Sequence, residues 1–226
     1  MPLFLYDSSL ILLIPAFILA VWAQYKVRST YRKYLSIRSV QGITGAQAAK
    51  YILNQNGIHD VEVEPVAGEL SDHYDPRKRV VRLSEKNYHG NSLAALTIAA
   101  HEVGHVIQHY GGYVPLQLRH SILPVTNIAS WSAFPLFLIG FFMNSPLLIN
   151  IGIIFFAAVV IFHFITLPVE FNASSRAIKQ LENNGMLVAQ EVHGAKKVLN
   201  AAALTYVAAA AMALLQLIRL IILSRD

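Results

Sequence analysis

Four long apolar segments divide the chain, and each is close to the roughly 20 mostly apolar residues that a helix needs to cross a bilayer. They lie at Ser8–Tyr25, Ile122–Met143, Leu147–Leu167 and Val198–Ile218. The second and third fall within a stretch from Ser121 to Val169 that contains no Lys, Arg, Asp or Glu. Asn144-Ser145-Pro146 is a turn signal near its middle. Because a soluble core seldom runs so far without charge, the pattern predicts an anchor, a transmembrane hairpin and a C-terminal transmembrane helix.

A polar region separates the first two apolar segments, at residues 26–120. Its apolar residues recur first with helical and then with strand periodicity. The predicted elements are a helix from Thr44 to Asn56, short strands at residues 61–66 and 79–83, and a helix that starts at Asn91 or Ser92 and reaches about Tyr110. The sequence therefore predicts a mainly α integral membrane protein with about four transmembrane helices and one α+β region.

The composition agrees with a protein that is partly surrounded by lipid. Apolar residues make up 55% of the chain and charged residues 14%, whereas a soluble domain usually has about 25% charged residues. The chain contains no cysteine, which excludes disulfides, cysteine nucleophiles and cysteine metal ligands. A metal site would therefore use His, Asp and Glu.

The basic residues are distributed unevenly along the chain. Of the 18 Lys and Arg residues, 12 lie between Lys26 and Arg119, and four more lie between the third and fourth apolar segments. Since cytoplasmic loops are enriched in Lys and Arg, residues 26–120 and 169–197 are predicted to be cytoplasmic and both chain ends outside. The basic residues follow the first apolar segment, which favours an uncleaved anchor over a secretory signal. Topology thus explains the net charge of +5, and no nucleic-acid partner is predicted.

These patterns divide the chain into five parts. The parts are an N-terminal transmembrane anchor (1–25), a cytoplasmic region with a metal motif (26–120), a transmembrane hairpin (121–168), a cytoplasmic helical segment (169–197) and a C-terminal transmembrane helix (198–226). The protein is predicted to cross the membrane several times, with the lipid bilayer as a constant partner.

The metal motif is His101-Glu102-Val103-Gly104-His105, which falls inside the helix that ends near Tyr110. Four residues separate the two histidines, so both imidazoles lie on one helix face and can reach one Zn²⁺ ion. In an HExxH motif the glutamate takes a proton from the metal-activated water and later passes it to the leaving amine. Gly104 leaves room for a neighbouring backbone. The motif therefore predicts a catalytic zinc site with Glu102 as general base.

A catalytic zinc site needs a third protein ligand and an open fourth position. Glu170 directly follows the third apolar segment and opens a helical stretch. A carboxylate at the bilayer edge is costly unless a positive charge compensates it, so Glu170 is the predicted third ligand; the alternative is a charge that favours a helix N-terminus. His109 is the other candidate, but it lies about two turns from His101 and is expected to be an outer partner of the site or solvated.

Four sequence blocks carry a resemblance to a known family. They are Asp72–Arg77, Val81–Ser84, Ala100–His105 and Leu167–Ser174. Over nearly its whole length the chain resembles the YugP-like bacterial membrane zinc metallopeptidases, and the last block also looks like the glutamate-bearing helix of the HtpX and CAAX prenyl protease group. The resemblance implies a zincin-like metallopeptidase of the gluzincin type in a bacterial plasma membrane, with His101, His105 and Glu170 as zinc ligands.

Further residues near the motifs have two interpretations each. Asn172 stands where that family usually has an acidic residue, so Asn172 or Ser174 is expected to orient a ligand by hydrogen bonding. Arg176 either stabilises a reaction oxyanion or anchors the third span in the cytoplasm. The segment Val80–Leu83 is either an ordinary strand or an edge strand to which substrate adds in extended form.

The predicted function is that of a zinc-dependent membrane endopeptidase, which hydrolyses peptide bonds of membrane or membrane-proximal proteins at the cytoplasmic face. Partner subunits in the membrane could recruit substrates or enclose the site. The alternative is a non-enzymatic zinc-binding membrane chaperone or scaffold, whose structural zinc site would be closed by four protein ligands. A metal transporter would need ligands deep in several spans, and only His163 offers one.

Overall fold

The computed structural model describes residues 8–225 and is mainly helical. After a 3-10 helix at Ser8–Leu13, the α-helices are α1 (Ile14–Leu35), α2 (Gly45–Gln55), α3 (Glu85–His89), α4 (Leu93–Tyr110), α5 (Val114–Phe142), α6 (Pro146–Asn183) and α7 (Ala189–Leu223). The strands are β1 (Glu62–Val66), β2 (His73–Asp75) and β3 (Val80–Ser84).

Helices α2 and α4 begin where their capping residues predict. The Thr44 side chain accepts a hydrogen bond from the Gln47 backbone N–H, and the Gln47 side chain accepts one from the Thr44 backbone N–H. This capping box satisfies two amide groups that the helix itself leaves unpaired. The Ser92 hydroxyl caps α4 by accepting from the Ala95 backbone N–H. Both helices predicted in the polar region are therefore confirmed.

Four helices of the described residues are long and apolar enough to cross a membrane, which agrees with the predicted number of about four spans. They cover Ser9–Leu35, Val114–Phe142, Pro146–Asn183 and Ala189–Leu223. Each extends beyond the predicted span, because backbone hydrogen bonding along a helix does not stop where the apolar residues stop. Residues 1–7 of the predicted anchor lie outside the described residues.

Helix α6 differs from the prediction near the site. A new helix was expected to open at Glu170, but α6 runs from Pro146 to Asn183 and contains Pro168 within it. Proline removes one backbone hydrogen bond, a loss that membrane helices tolerate through local adjustments and neighbouring groups. Similarly, α7 starts at Ala189 and not at Val198. Glu170 therefore belongs to the same helix as the third span.

One of two compact units consists of residues 8–24, 117–168 and 205–225. Within this unit α5 and α6 pack closely at two glycines. A Cβ atom on Gly140 would lie 2.6 Å from the Ile149 backbone nitrogen, and one on Gly152 would lie 2.8 Å from the Ala133 carbonyl oxygen. Small residues of this kind let the backbones of membrane helices approach each other.

The other unit consists of residues 25–116 and 169–204. It contains a sheet with the strand order β1-β3-β2, in which β1 is parallel and β2 antiparallel to β3. Val80–Leu83 thus lies in the central strand, paired on both sides, and its interpretation as an edge strand is wrong. The two edge strands are β1 and β2, and the three residues of β2 are too few for a recognisable strand pattern.

The core of this second unit surrounds α4. Leu96, Ala99 and Val103 of α4 are fully buried, as are Ala177 and Leu181 of α6. The small residues expected around the metal motif are buried as well; they are Ala94, Ala95, Ala99 and Ala100. Helix α4 is therefore an internal helix of the unit, and its side chains have little freedom to rearrange.

Candidate metal centre

The two motif histidines lie one turn apart on α4. Their ring centroids are 4.8 Å apart and the ring planes meet at 81°. Both side chains are largely buried, with 13% of His101 and 12% of His105 exposed. The helix thus presents two imidazoles to the same small volume, as the spacing of four residues predicts.

Gly104 allows α6 to approach this face of α4. A Cβ atom on Gly104 would lie 2.6 Å from the Ala173 carbonyl oxygen, closer than real Cβ atoms come to such a group. Ala173 is itself fully buried, and so is Val169. The room that the sequence predicted at Gly104 is therefore occupied by the backbone of α6.

This approach brings Glu170 to the two histidines. Its Oε2 atom is 3.4 Å from the Nε2 atom of His101 and 3.6 Å from the Nε2 atom of His105. One potential ligand atom from each of the three residues lies within 4.8 Å of the others. For tetrahedral zinc with bonds of about 2.1 Å, neighbouring ligand atoms stand about 3.4 Å apart. The three residues therefore fit a Zn²⁺ ion in both chemistry and spacing.

The Nδ1 atom of each histidine, which is the ring nitrogen farther from Glu170, also has a polar neighbour. The Ser174 hydroxyl is 3.3 Å from His101 Nδ1, and the Gln108 side-chain carbonyl is 3.0 Å from His105 Nδ1. Partners of this kind orient metal-binding imidazoles and leave the opposite nitrogen for the metal. Ser174 was one of two residues predicted to orient a ligand, and its contact with His101 agrees with that role.

Asn172 reaches the site indirectly. Its Oδ1 atom accepts hydrogen bonds from Gln108 Nε2 at 3.0 Å and from Arg176 Nε at 2.7 Å. The Arg176 guanidinium also lies over the Tyr113 ring, 5.9 Å from its centroid. Sequence reasoning singled out Asn172 and Arg176 but missed Gln108. Gln108 could have been found from its position three residues after His105, which places both side chains on one helix face.

Glu102 lies next to the histidines but is not part of the group of three. It is 8% exposed and interacts electrostatically with His101, His105 and Glu170. Burial raises the pKa of its carboxyl group, although the two neighbouring imidazoles act to lower it. Glu102 is therefore a buried carboxyl group close to the three candidate ligands.

His109 is engaged elsewhere. Its Nδ1 atom is 2.8 Å from the hydroxyl of Tyr74 on β2, and the side chain is exposed. The metal-binding group found among the described residues consists of His101, His105 and Glu170, and does not include His109. This contact connects the end of α4 with the edge strand β2.

Asp72, in the sequence block Asp72–Arg77, forms hydrogen bonds that join several elements. Asp72 accepts hydrogen bonds from the Ser84 backbone N–H at 2.8 Å and from Asn87 Nδ2 at 2.9 Å. Asn87 in turn accepts one from the Tyr31 hydroxyl at 3.1 Å. These bonds tie the start of β2 to the end of β3, to α3 and to α1.

Four apolar helices of membrane-spanning length and a buried His₂Glu group define the class: a membrane protein with a candidate site for a catalytic metal. The model of a family described as "Putative neutral zinc metallopeptidase" matches residues 9–225. The chain is 52% identical over 212 residues to "Putative membrane protease YugP" from Bacillus subtilis (strain 168), and this match covers 94% of each chain. No solved structure matches the chain. The protein belongs to this family of zinc metallopeptidases, which confirms the resemblance found in the sequence.

Proposed function

We propose that the protein is a zinc-dependent endopeptidase that cleaves membrane or membrane-proximal proteins at the cytoplasmic face of the bacterial plasma membrane. The observation that carries this proposal is the convergence of Glu170 with His101 and His105 at 3.4 and 3.6 Å. Two imidazoles and one carboxylate are the ligands of several catalytic zinc sites, which keep a fourth position for water or substrate.

Bound zinc would supply a Lewis acid for the scissile carbonyl and lower the pKa of a coordinated water to about 7. In the proposed reaction, His101, His105 and Glu170 would hold the ion. The Glu102 carboxylate would accept a proton from the water as its oxygen bonds to the carbonyl carbon, and would donate it to the amine nitrogen as the C–N bond breaks.

The edge strand β2 is the proposed binding site for the substrate backbone. It is the outer strand of the sheet on the side of α4, to which the Tyr74–His109 contact joins it. An extended peptide adds to such an edge through main-chain hydrogen bonds. In this proposal β2 takes the role that the sequence had suggested for Val80–Leu83.

The cytoplasmic orientation is supported by charge and chain order. Residues 26–120 carry 12 of the 18 basic residues, and such loops face the cytoplasm. Glu170 follows directly on the third apolar segment along α6. A site that includes Glu170 would therefore meet substrates close to the membrane, which favours membrane-associated proteins as substrates. Partner subunits in the membrane would deliver such substrates to the site.

Glu102→Gln tests the mechanism. The variant is expected to lose peptidase activity by about 100-fold or more, since general base catalysis contributes at least that much, while its zinc content stays at the wild-type level because Glu102 is not a ligand. The assay uses the full chain in detergent with fluorogenic peptides, and Glu85→Gln, an exposed acid on α3, is the matched control. Full activity in Glu102→Gln would contradict the mechanism. A zinc-loaded structure with a fourth protein ligand would instead favour the non-enzymatic scaffold.

A further inference from the structure

Gln108 is a polar side chain with several hydrogen-bond contacts next to the candidate metal centre. It is fully buried on α4. Its Nε2 atom donates to the Val169 carbonyl at 2.8 Å and to Asn172 Oδ1 at 3.0 Å, and its Oε1 atom is 3.0 Å from His105 Nδ1. A single amide group thus connects a candidate ligand on α4 to the segment of α6 that carries Glu170.

The chemistry of its neighbours allows only one orientation of this amide. A backbone carbonyl can only accept a hydrogen bond, so the group facing Val169 must be the Gln108 NH₂. The Arg176 guanidinium can only donate, so the Asn172 atom that it contacts at 2.7 Å must be the side-chain oxygen. That oxygen also requires a donor from Gln108. Two independent neighbours therefore turn the Gln108 carbonyl toward His105.

The orientation of Gln108 in turn determines the tautomer of His105. A carbonyl oxygen accepts and does not donate, so His105 Nδ1 must carry a hydrogen for this contact to be favourable. In the neutral imidazole the lone pair then lies on Nε2, the atom that faces Glu170 at 3.6 Å. His101 lacks this constraint, because the Ser174 hydroxyl near its Nδ1 can either donate or accept.

We infer that Gln108 is a positioning residue for the metal centre: it fixes His105 in the tautomer that binds metal through Nε2 and holds α4 against α6. The inference rests on the proposed function, in which His105 is a zinc ligand. Arg176 contributes to this orientation through its hydrogen bond to Asn172, without contact with the metal ligands.

The test compares Gln108→Met and Gln108→Glu with the wild type. Zinc affinity of the full chain in detergent is measured by competition with a chromophoric chelator. Gln108→Met has a similar shape but only a weakly accepting thioether in place of the amide carbonyl, and is expected to bind zinc about 10–100-fold more weakly, the usual effect of losing an outer partner. Gln108→Glu keeps an acceptor for His105 Nδ1 but cannot donate to Val169, and should bind zinc at least tenfold more tightly than Gln108→Met.

Gln180→Met is the matched control, because Gln180 lies on α6 and its amide bonds to Asn56. It should bind zinc as the wild type does. The inference is overturned if Gln108→Met binds zinc within twofold of the wild type, or if its loss equals that of Gln180→Met. A merely structural role would lower the unfolding temperature of the metal-free protein and leave zinc affinity unchanged.

NMR of the wild-type protein gives a second measurement, which can be made even if Gln108→Met does not fold. In the ¹⁵N-labelled, zinc-loaded wild type, His105 should show an Nδ1–H proton that exchanges slowly with water. Detection of Nδ1 as the metal-bound nitrogen would overturn the inference. A wild-type protein that binds no zinc would instead refute the proposed function, so the two failures are distinguishable.

Discussion

At the scale of single residues, the candidate centre combines two neutral ligands with one charged ligand. With His101, His105 and Glu170 bound, a Zn²⁺ ion would keep a net charge of +1, which preserves its attraction for a substrate carbonyl. Burial matters as much as charge, because only 3% of the Glu170 side chain is exposed and a buried carboxylate requires a compensating partner. A Zn²⁺ ion shared with the two imidazoles would provide that compensation.

Glu170→Gln should therefore weaken zinc binding by more than about 100-fold relative to the wild type. This is a larger effect than the loss of a residue that only hydrogen-bonds to a ligand. The substitution keeps the shape but replaces a charged oxygen ligand with a neutral one, and peptidase activity should fall with the zinc content. Chelator competition measures the affinity. Glu182→Gln on the exposed side of α6 should bind zinc like the wild type. An unchanged affinity in Glu170→Gln would show that another group supplies the third ligand.

At the scale of secondary-structure elements, the site depends on the contact between α4 and α6. Each helix is specified largely by local signals, such as the Ser92 cap and the long apolar run of α6. Their contact is specified by Gly104, whose missing side chain makes room for the Ala173 carbonyl. The bonds of Gln108 to Val169 and Asn172 then fix the register of the two helices.

Gly104→Ala tests this contact. The added methyl group would sit 2.6 Å from the Ala173 carbonyl, and such overpacking typically costs about 1–3 kcal/mol. We expect a lower free energy of unfolding for the metal-free protein and weaker zinc binding, because α6 moves away with Glu170. Denaturant unfolding and chelator competition measure the two effects, and Gly104→Val should enlarge both. If Gly104→Ala matched the wild type in both, the close contact would not be required.

At the scale of the whole molecule, the distribution of charge supports an orientation in the membrane. Basic residues concentrate at 26–119 and 176–197, whereas the turn between α5 and α6 contains none. Anionic lipids and the membrane potential favour such segments on the cytoplasmic side. The same orientation would expose the proposed site to cytoplasmic substrates and keep it away from extracellular ones.

The absence of cysteine makes this orientation directly testable. Single cysteines are introduced at Lys50 and at Met143, which are both exposed. In intact cells, a membrane-impermeant thiol reagent should label Met143→Cys but not Lys50→Cys, and permeabilised cells should show labelling of both. Labelling of Lys50→Cys alone in intact cells would reverse the proposed topology.

The sequence by itself determined those features that depend on neighbouring residues. The four spans, the caps of α2 and α4 and the shared face of His101 and His105 all follow from local periodicity and side-chain chemistry. Glu170 was predicted from the sequence, because a charge at the end of an apolar run is costly. The continuity of α6 through Pro168 was not predicted. A proline marks only a probable helix boundary when its surroundings are unknown.

The tertiary structure alone decided the features that depend on distant residues. The central position of β3, the edge position of β2 and the bonds of Gln108 to residues more than 60 positions away leave no periodic trace in the chain. Gln108 carries no charge and belongs to no motif, so its orientation toward His105 emerges only once Val169, Asn172 and Arg176 are near it. The HExxH helix is thus specified locally, whereas the complete centre exists only when α6 packs against it.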